Sequence, residues 1–510
     1  MPVELKNIEP RDYQINISET ATRKNTLVVL PTGIGKTLIA ILVAIERLKK
    51  FPQSKILIMA PTRPLNAQHK KSFEQQTTVD AEKIILITGK IQPSERTELY
   101  DFATVVVATP QTIENDVEAG RLHLRNFSLA VFDEAHRSVK DYAYTYVSKK
   151  YREQSEHPLI LGLTASPGAT EEKIEEIKNN LFVEAVEIRS EQDEDVSKYV
   201  KEIQKDFLYV DFPAEFQMLR GMLQEILKDS IYWLAEHHII HTYRPSKREL
   251  LAMQIRTSMS YSHNRNNYGS LHAMLRLAEA IKLEHAIELL ETQGMSSLHE
   301  YLHKLGSSKK NTDRKIMRDP RMIDAYKRIQ DMHEQGIDHP KAGKLKDIVK
   351  DLLKGKSGIK IIIFANYRSA VEKIRKLLEA ENISAQEFIG QTMKSGKGMT
   401  QDQQIAMLSR FRNGEFNVLV STSIGEEGLD VPSVDYAIFY EPVPSEIRAI
   451  QRRGRVGRQV SGKTIFLITK DTRDEAYFFA AINKEKRMRG ILHGMKKRLE
   501  RKKSLKDFIE

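Results

Sequence analysis

The chain contains no cysteine, which excludes a disulfide framework and any thiolate metal site. It has one tryptophan, Trp233, in Ile231-Tyr232-Trp233-Leu234, where core packing is the better reading than a ligand platform. No apolar run approaches the roughly 18 residues that a membrane-spanning helix needs. The opening Met1-Pro2-Val3-Glu4-Leu5-Lys6 lacks the basic and apolar regions of a secretory signal, so a cytoplasmic setting with no membrane partner is expected. There are no short-period repeats and no low-complexity tracts. What remains is 510 residues, 40% hydrophobic and 29% charged, enough for roughly three domains.

The net charge of +11 is unevenly placed. From Lys484 to the end, eleven basic residues face four acidic ones. A second run, Lys304 to Arg328, carries nine basic residues. Such runs are often only solvated helix faces, but two of them beside a nucleotide site favour a polyanionic partner.

That nucleotide site is the central feature. Thr26–Leu30 is a short apolar run that reads as a buried strand, and Leu38 to Leu48 is apolar at helical spacing. Between them lies Pro31-Thr32-Gly33-Ile34-Gly35-Lys36-Thr37. A strand, a glycine-bearing turn and a helix N-terminus make a phosphate cradle. Gly33 and Gly35 let the backbone approach a phosphate, Lys36 reaches the β/γ-phosphates and Thr37 offers a hydroxyl to Mg²⁺. Leu30 stands where the usual pattern has its first glycine. Asp133-Glu134-Ala135-His136 ends the apolar run Leu129–Phe132. There Asp133 is placed to hold the Mg²⁺, and Glu134 to orient and deprotonate an attacking water.

From Thr26 to about Ile188, strand candidates alternate with helical stretches: Thr26–Leu30, Lys55–Ala60, Lys83–Thr88, Thr104–Ala108, Leu129–Asp133 and Pro158–Thr164. This predicts a parallel sheet covered on both faces, with functional loops at its carboxyl ends. Thr164-Ala165-Ser166-Pro167 ends one strand; its hydroxyls could bridge the site to a second domain, or simply close an ordinary turn. From about Val200 to Gly336 helical periodicity dominates, which predicts an all-helical insertion. After His339-Pro340 alternation resumes over Lys360–Phe364, Ala385–Phe388, Asn417–Ser421, Asp435–Tyr440 and Thr464–Leu467, a second α/β unit without a phosphate loop. The expected division is 1–200, 201–338, 339–483 and a basic helical tail 484–510.

In the second unit, Gln451-Arg452-Arg453-Gly454-Arg455-Val456-Gly457-Arg458 sets two arginines three residues apart, on one face of a helical turn. A guanidinium pair presented across a cleft is what an arginine finger requires; the alternative is a basic surface helix. Ser421–Pro432 offers hydroxyls, glycines and Asp430 to a nucleotide.

In this order the motifs resemble a superfamily 2 helicase of the DEAH type, in the branch of the archaeal Hef helicase and its Fanconi-anaemia relative. The resemblance runs from Arg11 to about Lys470 and implies two RecA-like α/β domains, an ATP and Mg²⁺ requirement, and a thumb-like insertion acting on branched DNA. It implies that Arg11 and Gln14 read adenine, while Pro61, Thr62, Arg63, Thr109 and Pro110 hold the nucleic-acid backbone. It further implies second-domain strand contacts at Asn366, Gly390, Gln391 and Thr422, and coupling through Thr164 and Ser166. Gly428 and Asp430 are implied to face the nucleotide, with Gln451, Arg455 and Arg458 as the finger motif. The implied function is an ATP-dependent DNA helicase or translocase at forks, in fork repair. The alternatives are a double-stranded RNA translocase of the Dicer-like type, or a nucleotide-gated clamp that binds junctions with little unwinding. Hef-type proteins often carry a nuclease; this chain ends before one, so a separate nuclease partner is an expectation, and Glu500-Arg501-Lys502 reads as solvated tail. Lys502–Ile509 has the outline of a sliding-clamp peptide without its leading glutamine.

Overall fold

The computed structural model describes residues 3–168, 170–190, 193–199, 204–263, 268–355, 358–390, 398–422, 432, 434–441 and 462–506; for 492 and 495–506 it describes the backbone only. Two parallel sheets carry the fold. The first orders its strands β3-β4-β2-β5-β6-β1-β7, with β1 Thr26–Val29, β2 Lys55–Met59, β3 Ile84–Ile87, β4 Val105–Ala108, β5 Phe127–Asp133, β6 Ile160–Thr164 and β7 Ala185–Ile188. These strands are short and apolar because helices cover both faces, so β1, β4, β5 and β6 are buried at every position.

The second sheet runs β10-β11-β9-β12-β13-β8, with β8 Gln204–Val210, β9 Ile361–Phe364, β10 Ala385–Phe388, β11 Val418–Ser421, β12 Tyr436–Phe439 and β13 Lys463–Thr469. Here the structure departs from expectation. Residues 204–210, expected inside the helical insertion, pair in parallel with β13 along its whole length. As an edge strand, β8 has one side unpaired and leaves Phe207 and Tyr209 43% exposed, and its apolar stretch Phe207–Val210 follows the polar Gln204-Lys205-Asp206. The chain therefore enters the second sheet first and only then builds the bundle.

The bundle comprises Ala214–Glu236, Lys247–His263, Tyr268–Thr292, Met295–Gly306, Asn311–Arg318 and Pro320–Glu334, around a core of Leu219, Leu223, Leu277, Ile287, Leu298 and Leu302. Trp233 is half-buried there, stacked on His237 and His272 at 3.9 and 4.4 Å between centroids. A buried polar seam joins bundle to sheet. Gln293 donates to Glu441, which also accepts from the Asn366 backbone N at 2.6 Å. Fully buried Lys341 pairs with Asp474 and donates to the Tyr440 carbonyl at 2.9 Å. Asp474 opens the helix Arg473–Lys506, which runs on without a break at the boundary expected at 484. Phe478 of this helix packs in the second-sheet core, and Met488 (3% exposed) packs in the core of the first. One helix thus spans both halves.

His339 sits inside the seam. Its Nε2 donates to the Glu291 carbonyl at 2.9 Å, and its Nδ1 accepts from the Lys341 backbone N at 3.3 Å, an arrangement open only to neutral imidazole. Burial, with the Lys341 charge adding to it, pushes the imidazole down to about 3. A folded-state value below the unfolded one means stability is lost as pH falls through about 6.5. Glu441 works in the opposite sense, since burial raises it to about 7. The effect of His339 is therefore isolated by comparing wild type with a neutral replacement. Between pH 7 and pH 5 the wild type should lose about 2 kcal/mol of stability relative to His339→Gln. Thermal unfolding at the two pH values checks this; parallel acid slopes would contradict a neutral buried His339.

Candidate nucleotide site and its couplings

Gly33 and Gly35 take left-handed conformations, φ 87° and 83°, between β1 and the helix Lys36–Lys50. This aims the first turn of the helix, with its unpaired backbone N–H groups, at the carboxyl end of β1. Lys36 folds back over the loop, its Nζ donating to the carbonyls of Leu30 (3.1 Å) and Pro31 (3.3 Å). Thr37 follows in the first turn.

The residues expected at the adenine also support this loop. Gln14 is buried; its Oε1 accepts from the Arg11 backbone N at 2.8 Å, and its Nε2 donates to the carbonyls of Ile34 (3.4 Å) and Gly35 (3.3 Å). A Cβ placed on Gly35 would stand 2.4 Å from Gln14 Nε2, so any other residue there would displace the Gln14 amide as well as meet the unfavourable φ. Tyr13, which the sequence analysis passed over, donates its hydroxyl to the Ile34 carbonyl at 2.5 Å. Its only signal was an aromatic between two motif residues. The Arg11 guanidinium lies 4.9 Å over the Tyr199 ring.

Asp133 and Glu134 end β5, two strands from β1. His69 Nε2 donates to Asp133 Oδ2 at 2.8 Å, and the Glu134 backbone N donates to Oδ1 at 2.9 Å. Burial works to raise the Asp133 carboxyl, but the His69 hydrogen bond and the His69 and Lys36 charges outweigh it and hold the group below its ordinary range. Glu134 takes a left-handed φ of 52°, a strained conformation for a non-glycine residue. Its Oε2 is buried 3.2 Å from His136 Nδ1 without hydrogen-bond geometry, an orphaned carboxylate oxygen. An acid held in its ionised form, an orphaned carboxylate oxygen and a lysine beside a helix N-terminus fit a Mg²⁺–triphosphate, which Thr37, Asp133 and Lys36 would hold.

A polar chain leads away from this site. His136 Nδ1 and the Ser166 backbone N both approach Thr164 Oγ1, at 3.2 and 3.1 Å. Ser166 Oγ then donates to the Met488 sulfur at 2.9 Å, on the helix rooted in the second domain. The Thr164 hydroxyl thus closes the local turn at Ser166 and also lies beside His136, while the Ser166 hydroxyl reaches the far half.

Pro61, Thr62 and Arg63 lie past β2, where Thr62 caps the helix Arg63–Gln76 and the buried Asn66 amide ties the Ala60 and Thr62 carbonyls at 2.8 and 2.9 Å. Thr109 and Pro110 lie past β4, with Thr109 Oγ1 2.8 Å from Thr112 Oγ1. In the second sheet Asn366, Gly390 and Thr422 follow β9, β10 and β11, so the motifs of both halves share the carboxyl ends of their sheets. The Gly390 carbonyl accepts from Arg368 at 3.0 Å, and the Thr422 backbone N donates to the Phe388 carbonyl at 3.1 Å. Gln391, Gly428, Asp430, Gln451, Arg455 and Arg458 lie outside the described residues, as do the last residues of the clamp-like peptide.

The basic run of the bundle is partly spent on the bundle itself. Lys304 pairs with Glu300, Lys315 with buried Glu279, Arg321 with Asp229 and Asp319, and Arg328 with Asp324. Lys309, Lys310, Arg314, Arg318 and Lys327 are exposed. No helix among the described residues is long and apolar enough to cross a membrane.

Three family patterns match the chain in order: DEAD/DEAH box helicase over 11–174, an ATP-dependent RNA helicase helical bundle over 215–336, and helicase conserved C-terminal domain over 343–460. The crystal structure of the Pyrococcus furiosus Hef helicase domain is similar at a TM-score of 0.73 and 45% identity, covering 92% of this chain and 98% of that one. The Methanocaldococcus jannaschii protein MJ1505, named an ATP-dependent RNA helicase, is 44% identical over 96% of this chain. The Schizosaccharomyces pombe ATP-dependent DNA helicase fml1 is 33% identical over 91% of it. The chain spans 61% of the length of the first and 57% of the second. With both helicase halves, the intervening bundle and a structural match along nearly its whole length, the chain belongs to the DEAD/DEAH box family of ATP-dependent helicases, in the branch of the archaeal Hef helicase.

Proposed function

We propose that the chain is an ATP-driven DNA translocase that unwinds or remodels forked and branched DNA in fork repair inside the cell. The observation that carries this reading is the polar chain from His136, 3.2 Å from the Glu134 carboxylate, through Thr164 and Ser166 to Met488 on the second-domain helix. A nucleotide site wired in this way to the far half is built to convert phosphate chemistry into relative movement of two strand-gripping surfaces. Lys36 and the helix N-terminus bind the phosphates, and Glu134 takes the proton of the attacking water. When bound, Mg²⁺ supplies charge neutralisation to the phosphate oxygens. Arg455 and Arg458, outside the described residues, are assigned by the helicase resemblance to the charge that completes the site. Thr62, Arg63 and Thr109 on one side, and Asn366, Gly390 and Thr422 on the other, alternate their grip on one strand. The exposed bundle cations Lys309, Arg314, Arg318 and Lys327 hold the duplex arm through its phosphates, which makes binding salt-sensitive and mostly indifferent to sequence.

The DNA substrate is supported by the fml1 name and by the likeness to Hef; the name of MJ1505 favours a second reading, translocation on double-stranded RNA. ATPase assays with single strands, duplexes, forks and four-way junctions in DNA and RNA separate the two. Forked DNA should stimulate turnover most. Greater stimulation by duplex RNA would favour the second reading, and no stimulation by any nucleic acid would sink both. Glu134→Gln and Arg458→Ala should bind ATP and lose turnover by roughly 100-fold or more. Lys36→Ala should weaken binding itself about 10-fold or more and lose turnover with it. Nucleotide-binding titrations beside turnover assays check the distinction.

A further inference from the structure

The strand-gripping and metal-holding parts of the first domain are joined by a side chain that none of the motifs includes. His69 lies two turns into the helix Arg63–Gln76, whose cap is Thr62. It is 3% exposed, and its Nε2 donates to Asp133 Oδ2 at 2.8 Å. Its Nδ1 is buried and has no hydrogen-bond partner among the described residues. An apolar side chain would fill this position without stranding a polar atom, so packing alone does not account for the imidazole.

Two donors set the plane of the Asp133 carboxylate. The Glu134 backbone N is fixed by β5, whereas His69 Nε2 travels with the helix Arg63–Gln76. The start of that helix is locked to the end of β2 by Asn66, which bonds the Ala60 backbone N at 3.0 Å and the Ala60 and Thr62 carbonyls. A shift of Thr62 and Arg63 therefore reaches the imidazole through the helix, and the hydrogen-bond partner of that imidazole among the described residues is Asp133.

We propose that His69 is a positioning residue that transmits nucleic-acid engagement at Thr62 and Arg63 to the orientation of Asp133 toward nucleotide-bound Mg²⁺. The inference rests on the proposed function for the nucleic-acid half of the link and on geometry alone for the Asp133 half. Outer-shell partners of this kind change metal affinity by about 10- to 100-fold when removed.

The test compares wild type, His69→Ala, His69→Gln and the exposed neighbour Gln68→Ala on the full chain. Gln places an amide N–H at about the reach of imidazole Nε2. A fluorescent ATP analogue is titrated with Mg²⁺ without nucleic acid, and ATPase is then measured with and without forked DNA. His69→Ala should need about tenfold more Mg²⁺ for half-maximal tight binding. It should bind the analogue in EDTA as wild type does, and lose stimulation by the fork while keeping fork affinity. His69→Gln should recover most of both, and Gln68→Ala should match wild type. Wild-type Mg²⁺ dependence in His69→Ala, no rescue by His69→Gln, or an equal loss of binding in EDTA would each overturn the proposal. A wild-type enzyme that no nucleic acid stimulates overturns the functional reading, and the Mg²⁺ titration still decides whether His69 sets Asp133.

Discussion

A carboxylate kept ionised out of water must be surrounded by donors and cations, and Asp133 imposes that constraint on the whole first domain. Meeting it requires His69 from the helix after β2, Lys36 from the helix after β1 and the strained backbone of Glu134, all at one edge of one sheet. Parallel strands supply this economically, because each delivers its following loop to the same carboxyl edge. Tyr144 tightens the arrangement, its hydroxyl lying 2.9 Å from the Met59 carbonyl and 2.6 Å from that of Asp133, at the ends of neighbouring strands. The strain and the orphaned oxygen of Glu134 are tolerated beside so many fixed partners.

The other constraint is mechanical. The bundle is inserted behind β8 and sealed to the second sheet by Lys341–Asp474 and Gln293–Glu441, pairs buried deeply enough that breaking one strands a charge. Bundle and second domain are thereby built to move together. Their described contact with the catalytic edge is the helix Arg473–Lys506, whose Met488 meets Ser166. A thioether accepts only a weak hydrogen bond, so this contact between the halves costs little to break.

Both sheets, the bundle and every strand but β7 and β8 were legible in the sequence, where burial on two faces left a continuous apolar run or a helical period. β7 and β8 were not: Ala185–Ile188 is interrupted by Glu187, and the apolar Phe207–Val210 follows Gln204-Lys205-Asp206 at the border of a helical stretch. The short helix Asn311–Arg318 is highly charged, and its Lys315 pairs across the bundle with Glu279. At the site, loop chemistry announced Gly33, Gly35, Lys36, Asp133 and Glu134. Tyr13, Asn66 and His69 stayed silent because each acts through a contact that exists only once the chain has folded: Tyr13 with Ile34, Asn66 with Ala60, His69 with Asp133. Met488 lies more than 300 residues from its partner Ser166, beyond any local pattern.

The central claim is that phosphate chemistry at this carboxyl edge is coupled to movement along DNA. Displacement of a labelled third strand from a triplex placed ahead of a fork measures that coupling directly. The account predicts displacement with ATP and none with ADP or a non-hydrolysable analogue. Fork-stimulated ATP turnover without displacement of the third strand would contradict it.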